Sequence, residues 1–591
     1  MEIYFQVITD GEALRTACEN LRQFEILGFD TETTELDPFA GIIRLVQLSN
    51  GAETKVIDLK PFMEKGDLRK LPELDPLRDL LANPAIEKVA HNAKFDAKWV
   101  KHHLGVDIGG IFDTLLASQL IAAGDQDRRH NLAEVASFFL GQELDKTEQV
   151  SDWSAAELSH SQVEYAARDA ATMLPLREKV WEKLKADELD RTARLEFECV
   201  VPVAAMEQNG FYLDRGRWLE QLEKVKKIQA KLADELQDML SAGVAQASLF
   251  GRAEINLDSQ AQVSDALKNL GVPVPESTRG WQLQPLANDY PVVAKLLEYR
   301  SVAKGLTSFG ENILEFIKPQ TGRIHADFRL IGAPTGRFSC SNPNLQQIPH
   351  GEEYRRAFTA PPGRKLIIAD YSQIELRILA DFSGDENFIN AFISGADFHA
   401  TTAAQVFNVK PENVSPDQRT FAKRLNFGVV YGIGASRFAM MTGLSQPEAE
   451  NLMRRYFATY RKLDAWLREA GGKVLRDRVS RTASGRMYRF RFDETDRGQI
   501  AAARRNGMNF PIQGTSADIL KRSLRLLHDS IAGTSARLVN IVHDEIIVEC
   551  DGSEAESTCE RLEKAMINAG EEIVKKVPIK VDAKIADEWV K

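Results

Sequence analysis

Two acidic residues near the start of the chain have a spacing that suits metal-dependent chemistry. In the segment GFDTETT, Asp30 and Glu32 lie two residues apart at the end of a predicted strand, so their carboxylates project from the same face. Carboxylate oxygens are the ligands that a hard divalent cation prefers. A single pair of this kind is usually only solvated, so the interpretation depends on further acidic segments.

Two further segments supply such residues. In VAHNAKFDAKWV a short apolar strand ends, and Asn92 and Asp96 fall four residues apart at the start of a helix. In VEYAARDAATM, Tyr165 and Asp169 are likewise one helical turn apart. Asp30, Glu32, Asp96 and Asp169 thus give four carboxylates from three segments, with the phenol of Tyr165 beside the last. That set fits a two-metal nuclease, in which one ion activates water and the other stabilises the leaving oxygen.

A second acidic site is predicted in the C-terminal half. The run RKLIIAD ends in Asp370, and Glu375 lies in the segment that follows. The run VNIVHDEIIVE is apolar on both sides of His543, Asp544 and Glu545, which predicts a hairpin with carboxylates at its turn. Strands that end in Asp370 and Asp544 can bring two carboxylates together around a pair of magnesium ions. The chemistry that this favours is attack of a hydroxyl on the α-phosphate of a nucleotide.

One helix between these segments carries cations and aromatic residues on a single face. In DQRTFAKRLNFGVVYG the spacing is four residues throughout, and the stripe consists of Arg419, Lys423, Phe427 and Tyr431. Two cations followed by two aromatic residues suit a nucleotide, with the triphosphate at the basic end and the base stacked at the other. The alternative for this helix alone is a structural face whose cations reach solvent beside two core aromatic residues.

A second helix has a polar stripe at the same spacing. In ARRNGMNFPIQGTSADI the stripe consists of Arg505, Asn509 and Gln513. Beyond the arginine it is uncharged, which is typical of contacts with bases and sugars in a groove rather than with phosphates. A polar helix face in water is the alternative.

The elements that must position these residues follow from hydrophobic patterning. Three strand-like runs, FEILGFD, IIRLVQLS and TKVIDL, precede a helical region at about 115–184, which predicts one α/β domain over residues 1–190. The pattern is mainly helical from about Glu196 to Lys318 and includes a heptad-like stretch that predicts an elongated helix pair. At 591 residues the chain exceeds one core, so two or more domains are expected.

The acidic segments of the first domain resemble those of the DEDDy exonucleases, which have a ribonuclease-H-like fold. The resemblance covers about 190 residues and all three segments. It implies that two divalent metal ions are bound by four carboxylates: Asp30, Glu32, Asp96 and Asp169. It also implies that Tyr165 orients the attacking water.

Five segments of the remaining chain resemble, in the same order, the motifs of family A DNA polymerases. They are TGRFSCSNPNLQQIP (335–349), DYSQIELR (370–377), the helix at 419–432, NFPIQGTSADI (509–519) and VHDE (542–545). The resemblance implies an α/β multidomain chain in which the ribonuclease-H-like exonuclease domain at 1–190 precedes a right-hand polymerase at 191–591. The implied subdomains are a thumb at about 205–330, a palm at about 331–375 and 506–591, and fingers at about 376–505.

The same resemblance implies roles for individual residues of the polymerase. The implied catalytic residues include Asp370, Asp544 and Glu545: Asp370 and Asp544 bind two magnesium or manganese ions, and Glu545 lies close by. The implied nucleotide-binding residues are Arg419, Lys423, Phe427, Tyr431, His399, Glu375 and Gln373. Three of them contact the triphosphate, namely Arg419, Lys423 and His399; Lys423 also donates a proton to pyrophosphate, and Tyr431 lies at the templating position. The residues implied to contact the primer and template are Arg337, Arg505, Asn509, Gln513 and His543.

Two of these positions bear on substrate choice. By resemblance Glu375 is the steric gate whose bulk excludes a ribose 2′-hydroxyl, which predicts a preference for deoxynucleotides. Phe427 occupies the position at which family members with tyrosine accept dideoxynucleotides readily. We therefore predict that this protein discriminates against dideoxynucleotides, and equal incorporation of the terminator and the natural nucleotide would contradict this.

The overall charge bears on the partners. It is −11, from 75 basic and 86 acidic residues, and by itself argues weakly against an anionic partner. A basic cleft can coexist with an acidic outer surface, and cations cluster on the predicted thumb helix at Lys224, Lys226, Lys227 and Lys231. We expect primer-template DNA and deoxynucleoside triphosphates as partners, with DNA binding that depends strongly on salt.

Further expectations concern the cellular setting. No apolar run approaches the roughly 18 residues needed to span a bilayer, so no membrane partner is expected. We expect a monomer, located in the cytoplasm with the nucleoid if the source is bacterial, and an organellar or viral source stays open. No 5′-nuclease precedes the exonuclease segments, so a separate 5′-nuclease is expected to remove primers.

Two other functions compete with template-directed DNA synthesis and 3′-5′ proofreading in replication or repair. One is an exonuclease whose C-terminal part is a non-catalytic DNA-binding scaffold, and the intact Asp370, Asp544 and Lys423 argue against it. The other is a single-subunit RNA polymerase, which shares palm and fingers features. Glu375 and the complete proofreading site argue against that alternative.

Overall fold

Strands and helices alternate in the N-terminal part of the chain. The computed structural model describes residues 3–125, 127–144, 148, 151–242, 254–349 and 352–590. The N-terminal elements are β1 (Tyr4–Ile8), α1 (Gly11–Leu21), β2 (Ile26–Thr33), β3 (Ile43–Ser49), β4 (Glu53–Asp58), α2 (Lys60–Met63), α3 (Asp75–Ala82), β5 (Glu87–Ala90), α4 (Ala93–Leu104), β6 (Ile111–Asp113), α5 (Thr114–Ile121), α6 (Leu132–Leu140) and α7 (His160–Ala186).

The six strands form one mixed sheet in the order β1-β4-β3-β2-β5-β6. Strand β3 is antiparallel to β2 and β4, and the other pairs are parallel. The three strands predicted from the sequence are confirmed as β2, β3 and β4, and the helical region after them as α5, α6 and α7. Strand β1 was not predicted, because most of its residues are exposed and it carries no continuous apolar run.

Helix α7 lies directly on the central strands. A Cβ atom at Gly28 in β2 would lie 2.0 Å from the carbonyl oxygen of Ala170 in α7, so only glycine allows this approach. The opposed surfaces are apolar and include Leu45, Val163 and Ala166. The close packing brings one face of α7 onto the part of β2 that carries the first acidic pair.

The rest of the chain is larger and mostly helical. Its elements are α8 (Asp190–Asn209), β7 (Phe211–Tyr212), α9 (Arg215–Ser241), α10 (Gln260–Asn269), α11 (Gly280–Leu283), α12 (Pro291–Ser308), β8 (Ile317–Lys318), β9 (Arg323–Ile324), β10 (Asp327–Arg329), β11 (Ser339–Ser341), α13 (Glu352–Arg355), β12 (Arg364–Tyr371), α14 (Ile374–Ser383), α15 (Glu386–Ile393), α16 (Phe398–Phe407), α17 (Pro416–Val430), α18 (Ala435–Thr442), α19 (Gln446–Thr459), α20 (Arg461–Asp477), β13 (Val479–Arg481), β14 (Met487–Arg489), α21 (Arg497–Ser530), β15 (Arg537–Val542), β16 (Glu545–Asp551), α22 (Ala555–Glu571) and β17 (Val581–Ala586).

A four-stranded antiparallel sheet, in the order β15-β16-β12-β17, forms the base of this part. In β12, Asp370 is paired with Glu545 of β16 on one side and with Asp582 of β17 on the other. Strands β15 and β16 are joined by a turn at His543 and Asp544, and His543 has a left-handed φ of 58°. The predicted hairpin with carboxylates at its turn is therefore confirmed.

The predicted elongated helix pair is also confirmed. Helix α9 packs along α12, and the two helices share a hydrophobic core that is separate from the main one. Leu236, Leu240 and Leu296 are fully buried in this second core. The helix pair thus has its own packing and is held to the rest of the molecule mainly at its base.

Two features of the whole molecule concern its surroundings. All five cysteines are free thiols, and four of them are buried. Within the described residues, no helix is both long and apolar enough to cross a membrane.

Candidate active sites

The N-terminal acidic site consists of Asp30, Glu32, Asp96 and Asp169, and the structure brings all four together. Asp30 and Glu32 come from β2, and the others come from α4 and α7. Burial raises the pKa of both Asp30 and Glu32 well above their ordinary values. The neighbouring carboxylates of the set raise these pKa values further, so the four negative charges lie within reach of one another.

The position of Asp96 is set by two hydrogen-bonding residues. The Thr31 hydroxyl donates to Asp96 Oδ1 at 2.6 Å, which ties α4 to β2. At the start of α4, the carboxylate of Asp113 accepts from the backbone N–H of Asn92 at 3.2 Å and of Ala93 at 2.9 Å. Burial raises the pKa of Asp96 to about 7, although the Thr31 hydrogen bond acts in the opposite direction. Asn92 itself has a left-handed backbone conformation and lies directly before α4, so it is not part of the helix as the sequence predicted.

Tyr165 contacts the fourth carboxylate. Burial raises the pKa of Asp169 to about 6, and a hydrogen bond from the Tyr165 hydroxyl partly opposes that effect. Burial also raises the pKa of Tyr165 itself, and the charge of Asp169 adds to it. The phenol therefore stays protonated at neutral pH and can donate a hydrogen bond beside the carboxylates.

The donor set fits divalent cations by its chemistry. Within the described residues, none of the four carboxylates forms an ion pair with a lysine or arginine, so their charge needs a neutralising partner. No three acidic, histidine or cysteine side chains of the described part already converge closely enough to hold a metal ion. The four carboxylates thus supply the type of ligand that a divalent cation prefers.

A cleft of about 1320 Å³ opens beside this site and is lined by both parts of the chain. Tyr165 and Asp169 line it from the N-terminal part, and Asp327 and Phe328 line it from the C-terminal part. One cation joins the two walls. Lys94 Nζ donates to Asp327 Oδ1 and to the Phe328 carbonyl oxygen, both at 2.6 Å, and it also bonds Glu207 of α8.

The C-terminal acidic site is built on the antiparallel sheet. Directly opposed residues of an antiparallel pair share a face, so the β12–β16 register places Asp370 and Glu545 side by side. Asp544 precedes Glu545 in the turn, and its charge contributes to the raised pKa of the buried Tyr371. The two predicted metal ligands, Asp370 and Asp544, therefore lie at the same end of neighbouring strands.

Glu545 has partners inside the protein. Trp589 Nε1 donates to Glu545 Oε1 at 2.8 Å, and Arg355 Nη1 lies 3.7 Å from the same oxygen. The Arg355 guanidinium also lies 4.2 Å from the centre of the Trp589 ring. All three side chains are buried. Sequence reasoning missed Arg355 and Trp589, because they lie far from the acidic motif along the chain and neither has a spacing that marks it.

Glu375, the predicted steric gate, is joined to two other predicted site residues. Arg337 Nη2 donates to Glu375 Oε1, and the Tyr431 hydroxyl is hydrogen bonded to the same carboxylate. Burial raises the pKa of Glu375, and both Arg337 and Tyr431 act to lower it. The three residues come from separate segments of the chain, so the tertiary fold alone assembles this cluster.

The predicted cationic and aromatic stripe follows one face of α17. Arg419 and Lys423 are exposed, and Phe427 is half-buried. The helix ends at Val430, but the Tyr431 N–H still donates to the Phe427 carbonyl at 3.3 Å, which keeps Tyr431 in line. Arg419 forms an exposed ion pair with Asp397 at 2.6 Å.

His399 lies inside the protein, behind this stripe. It is 4% exposed, and its Nδ1 is 3.1 Å from the Asn426 amide nitrogen. Burial lowers the pKa of His399 to about 4, and the nearby Arg419 and Lys423 add to the effect. That His399 contacts a triphosphate stays a prediction. Its ring centre lies 5.7 Å from that of Phe427, so it supports the stripe from behind.

The second predicted stripe lies on the long helix α21. Arg505 is exposed, and Asn509 and Gln513 are half-buried. A Cβ atom at Gly432, next to Tyr431, would lie 3.4 Å from Arg505 Cγ, so the two stripes meet at this point.

Two buried amide oxygens belong to the segments DYSQIELR and NFPIQGTSADI. Gln373, in the left-handed conformation before α14, has its Oε1 buried with no hydrogen-bond partner among the described residues. The Oδ1 of Asn509 is in the same state. Unpaired buried acceptors are uncommon, and functional sites are among the places where they occur.

The lysines expected to make the helix α9 basic are largely neutralised. Lys224 pairs with Glu220 at 2.8 Å, and Lys226 pairs with Glu223 at 3.0 Å. Lys231 lies 3.8 Å from Glu235. The sequence pattern overstated the positive charge that this helix presents, because the intervening glutamates lie one helical turn from the lysines.

The chain was compared with known families and proteins. The model described as DNA polymerase family A matches residues 222–591, and the model described as 3′-5′ exonuclease matches residues 5–185. The DNA polymerase I of Aquifex aeolicus is 33% identical over 99% of this chain and 100% of that protein. The DNA polymerase I of Pseudomonas aeruginosa is 31% identical over 100% of this chain and 66% of that longer protein.

A solved structure has the same architecture. The POL domain of Pol1 from M. smegmatis, in complex with DNA primer-template and dNTP, superposes with a TM-score of 0.82. The two chains are 27% identical, and 99% of each is covered.

Proposed function

The chain belongs to DNA polymerase family A and carries a 3′-5′ exonuclease domain, and on this basis we propose how its two acidic sites divide the work. It is a DNA-directed DNA polymerase with 3′-5′ exonuclease activity, with the exonuclease domain first and the polymerase domain second. Domains of both kinds generally use divalent metal ions, and we assign two ions to each site. These ions supply charge neutralisation and activation of the attacking oxygen.

In the proposed exonuclease site, Asp30, Glu32, Asp96 and Asp169 hold the ions. The observation that carries this assignment is that four buried carboxylates lie near enough to raise one another's pKa, and none has an ion-pair partner among the described residues. Tyr165 stays protonated, bonds Asp169, and orients the attacking water. The cleft beside the site receives the 3′ end of a DNA strand.

In the proposed polymerase site, Asp370 and Asp544 hold the ions. Lys423, exposed on α17, donates a proton to the leaving pyrophosphate. Arg419 leaves its ion pair with Asp397 and binds the triphosphate instead. Glu375, held by Arg337, closes the sugar pocket against a 2′-hydroxyl. Arg337, Arg505, Asn509, Gln513 and His543 contact the primer and template, and Gln373 contacts the nucleotide. We assign Glu545 a supporting role, and His399 the role of contacting the triphosphate together with Arg419 and Lys423.

The remaining proposals concern organisation and setting. We divide the chain into an exonuclease domain at 1–190 and a polymerase domain at 191–591, with the thumb, palm and fingers as given above. We propose a monomer that acts on bacterial chromosomal DNA in the cytoplasm, since the compared relatives are bacterial.

The decisive experiment follows a 5′-labelled primer on a template with magnesium, with and without nucleotides. We expect Asp370→Ala to stop extension and leave degradation intact. We expect Asp30→Ala to stop degradation and leave extension intact. A wild-type protein that degrades but never extends would favour the exonuclease-with-scaffold alternative.

The chain offers matched controls for both variants. Asp582 lies across from Asp370 on β17, but its side chain is 59% exposed, so Asp582→Ala should extend normally. Asp79, with a side chain that is 73% exposed on α3, provides the corresponding control for the exonuclease. Loss of either activity in its control would contradict the assignment of that site.

A further inference from the structure

Gln47 in β3 is a buried polar residue for which the mechanism above has no use. It is 0% exposed, and neither its Oε1 nor its Nε2 has a hydrogen-bond partner among the described residues. Burying both halves of an amide without partners is costly, because each gives up a hydrogen bond to water. A residue in this state needs either an explanation or a ligand that the protein acquires later.

The position of Gln47 in the sheet points to the exonuclease site. In the β2–β3 register Gln47 is the direct partner of Asp30, and two residues further on Leu45 is the partner of Glu32. Direct partners in an antiparallel pair share a face and have Cβ atoms roughly 5 Å apart. Leu45 packs against Val163 and Ala166 of α7, so this is the face that α7 covers. The Gln47 amide is thus enclosed beneath α7, beside Asp30.

The other carboxylates of the site show what is missing at Asp30. Asp96 is held by the Thr31 hydroxyl at 2.6 Å, and Asp169 is held by the Tyr165 hydroxyl. Among the described residues, Asp30 receives a hydrogen bond only from the Thr31 backbone, and no side chain donates to it. Carboxylates that bind metal ions are normally oriented by such outer donors, whose loss typically weakens metal binding or activity by about 10–100-fold.

We propose that Gln47 is a positioning residue for the exonuclease, and that its side-chain amide donates to the Asp30 carboxylate when that carboxylate holds a divalent cation. Each of the three aspartates then has its own orienting donor: Thr31 for Asp96, Tyr165 for Asp169 and Gln47 for Asp30. This inference rests on the proposed exonuclease site.

Substitution by methionine tests the proposal, because methionine keeps the length of glutamine and lacks the amide. The full-length Gln47→Met protein should unfold in EDTA at the same or a higher temperature than the wild type, since an unpaired buried amide has been removed. Its exonuclease rate on a single-stranded oligonucleotide should fall about 10–100-fold. Primer extension should be unchanged, and this reports that the variant folds.

A second measurement does not depend on exonuclease turnover. In an Asp370→Ala, Asp544→Ala background, which removes the proposed polymerase ligands, calorimetric titration with Mn²⁺ should give about 10-fold weaker binding for Gln47→Met. Gln47→Asn, which keeps the amide but shortens the side chain, should give an intermediate loss in both measurements.

Asn540 provides the matched control. It lies in β15 of the palm, is 0% exposed, and has both amide atoms without partners among the described residues. Asn540→Leu should leave the exonuclease rate and Mn²⁺ binding unchanged. Unchanged exonuclease activity and Mn²⁺ affinity in Gln47→Met would overturn the proposal and leave the exonuclease assignment intact. A wild-type protein without exonuclease activity would instead remove the assignment on which the proposal rests.

Discussion

The two proposed active sites of this polymerase differ in how their negative charge is neutralised. In the exonuclease site four carboxylates face one another, and burial together with their mutual repulsion raises their pKa values. In the polymerase site acidic side chains are met by arginines, with Arg337 on Glu375 and Arg355 near Glu545. We propose that the first site obtains its positive charge from bound cations, whereas the second is partly neutralised by Arg337 and Arg355. Metal-free stability and metal dependence should therefore differ between the two domains.

The largest expected effect comes from removing one charge from the exonuclease site. Asp96→Asn keeps the oxygen that accepts from Thr31 but loses a metal-binding carboxylate. We expect the exonuclease rate to fall on the order of 10³-fold, equivalent to about 4 kcal/mol of lost charge stabilisation. In EDTA at pH 8 the same variant should be more stable than the wild type by on the order of 2 kcal/mol, because it lacks one of the carboxylate charges that repel one another in this site. Exonuclease assays and denaturant unfolding measure the two effects, and lower stability in EDTA would contradict the comparison.

A smaller effect is expected at the sugar pocket of the polymerase. Glu375→Ala removes both the bulk of the gate and the partner of Arg337, so ribonucleotide incorporation relative to deoxynucleotide should rise about 100-fold. Glu375→Gln keeps the bulk and loses the charge, and should change the ratio by less than about 10-fold. Single-nucleotide incorporation kinetics give both ratios. If the two variants behave alike, charge rather than size controls the gate.

Glu545 should affect stability more than chemistry. Glu545→Gln weakens a buried contact with Arg355 and Trp589, and we expect a loss of about 2–3 kcal/mol in the free energy of unfolding. The extension rate should fall less than about 10-fold, far less than for Asp544→Asn. Parallel urea unfolding and single-turnover extension test this, and equal catalytic losses in the two variants would show that Glu545 acts directly on the metal or substrate.

The smallest effect is the pH dependence of stability without metal. Because burial raises the pKa of Asp96 to about 7 and that of Asp169 to about 6, the folded protein favours their protonated forms. Their stabilising contribution is complete below about pH 4, near the pKa of an unfolded aspartate, and is lost as the pH rises through 6–7. In EDTA the unfolding free energy should fall by on the order of 2 kcal/mol between pH 5 and pH 8. Saturating Mn²⁺ should flatten this dependence, and an unchanged slope would contradict a metal site here.

Local patterns in the sequence identified most of the elements and the residues that they present. Strands β2, β3, β4 and β12 and the β15–β16 hairpin were visible as apolar runs bounded by polar residues, and the stripes on α17 and α21 as four-residue spacings. These signals are local, because a strand or helix fixes which side chains share a face through its own period. The order of the motifs, together with their resemblance to known families, then predicted the exonuclease and polymerase parts.

Contacts between distant segments could be learned only from the tertiary structure. Trp589, near the end of the chain, donates a hydrogen bond to Glu545. His399 is buried in the interior, and glutamates form ion pairs with lysines of α9. None of these contacts leaves a periodic signal, since packing of separate elements decides which groups meet. The same holds for Gln47, whose type and strand were visible in the sequence. Its burial beside Asp30 depends on the β2–β3 register and on α7, which returns to the sheet more than 100 residues later.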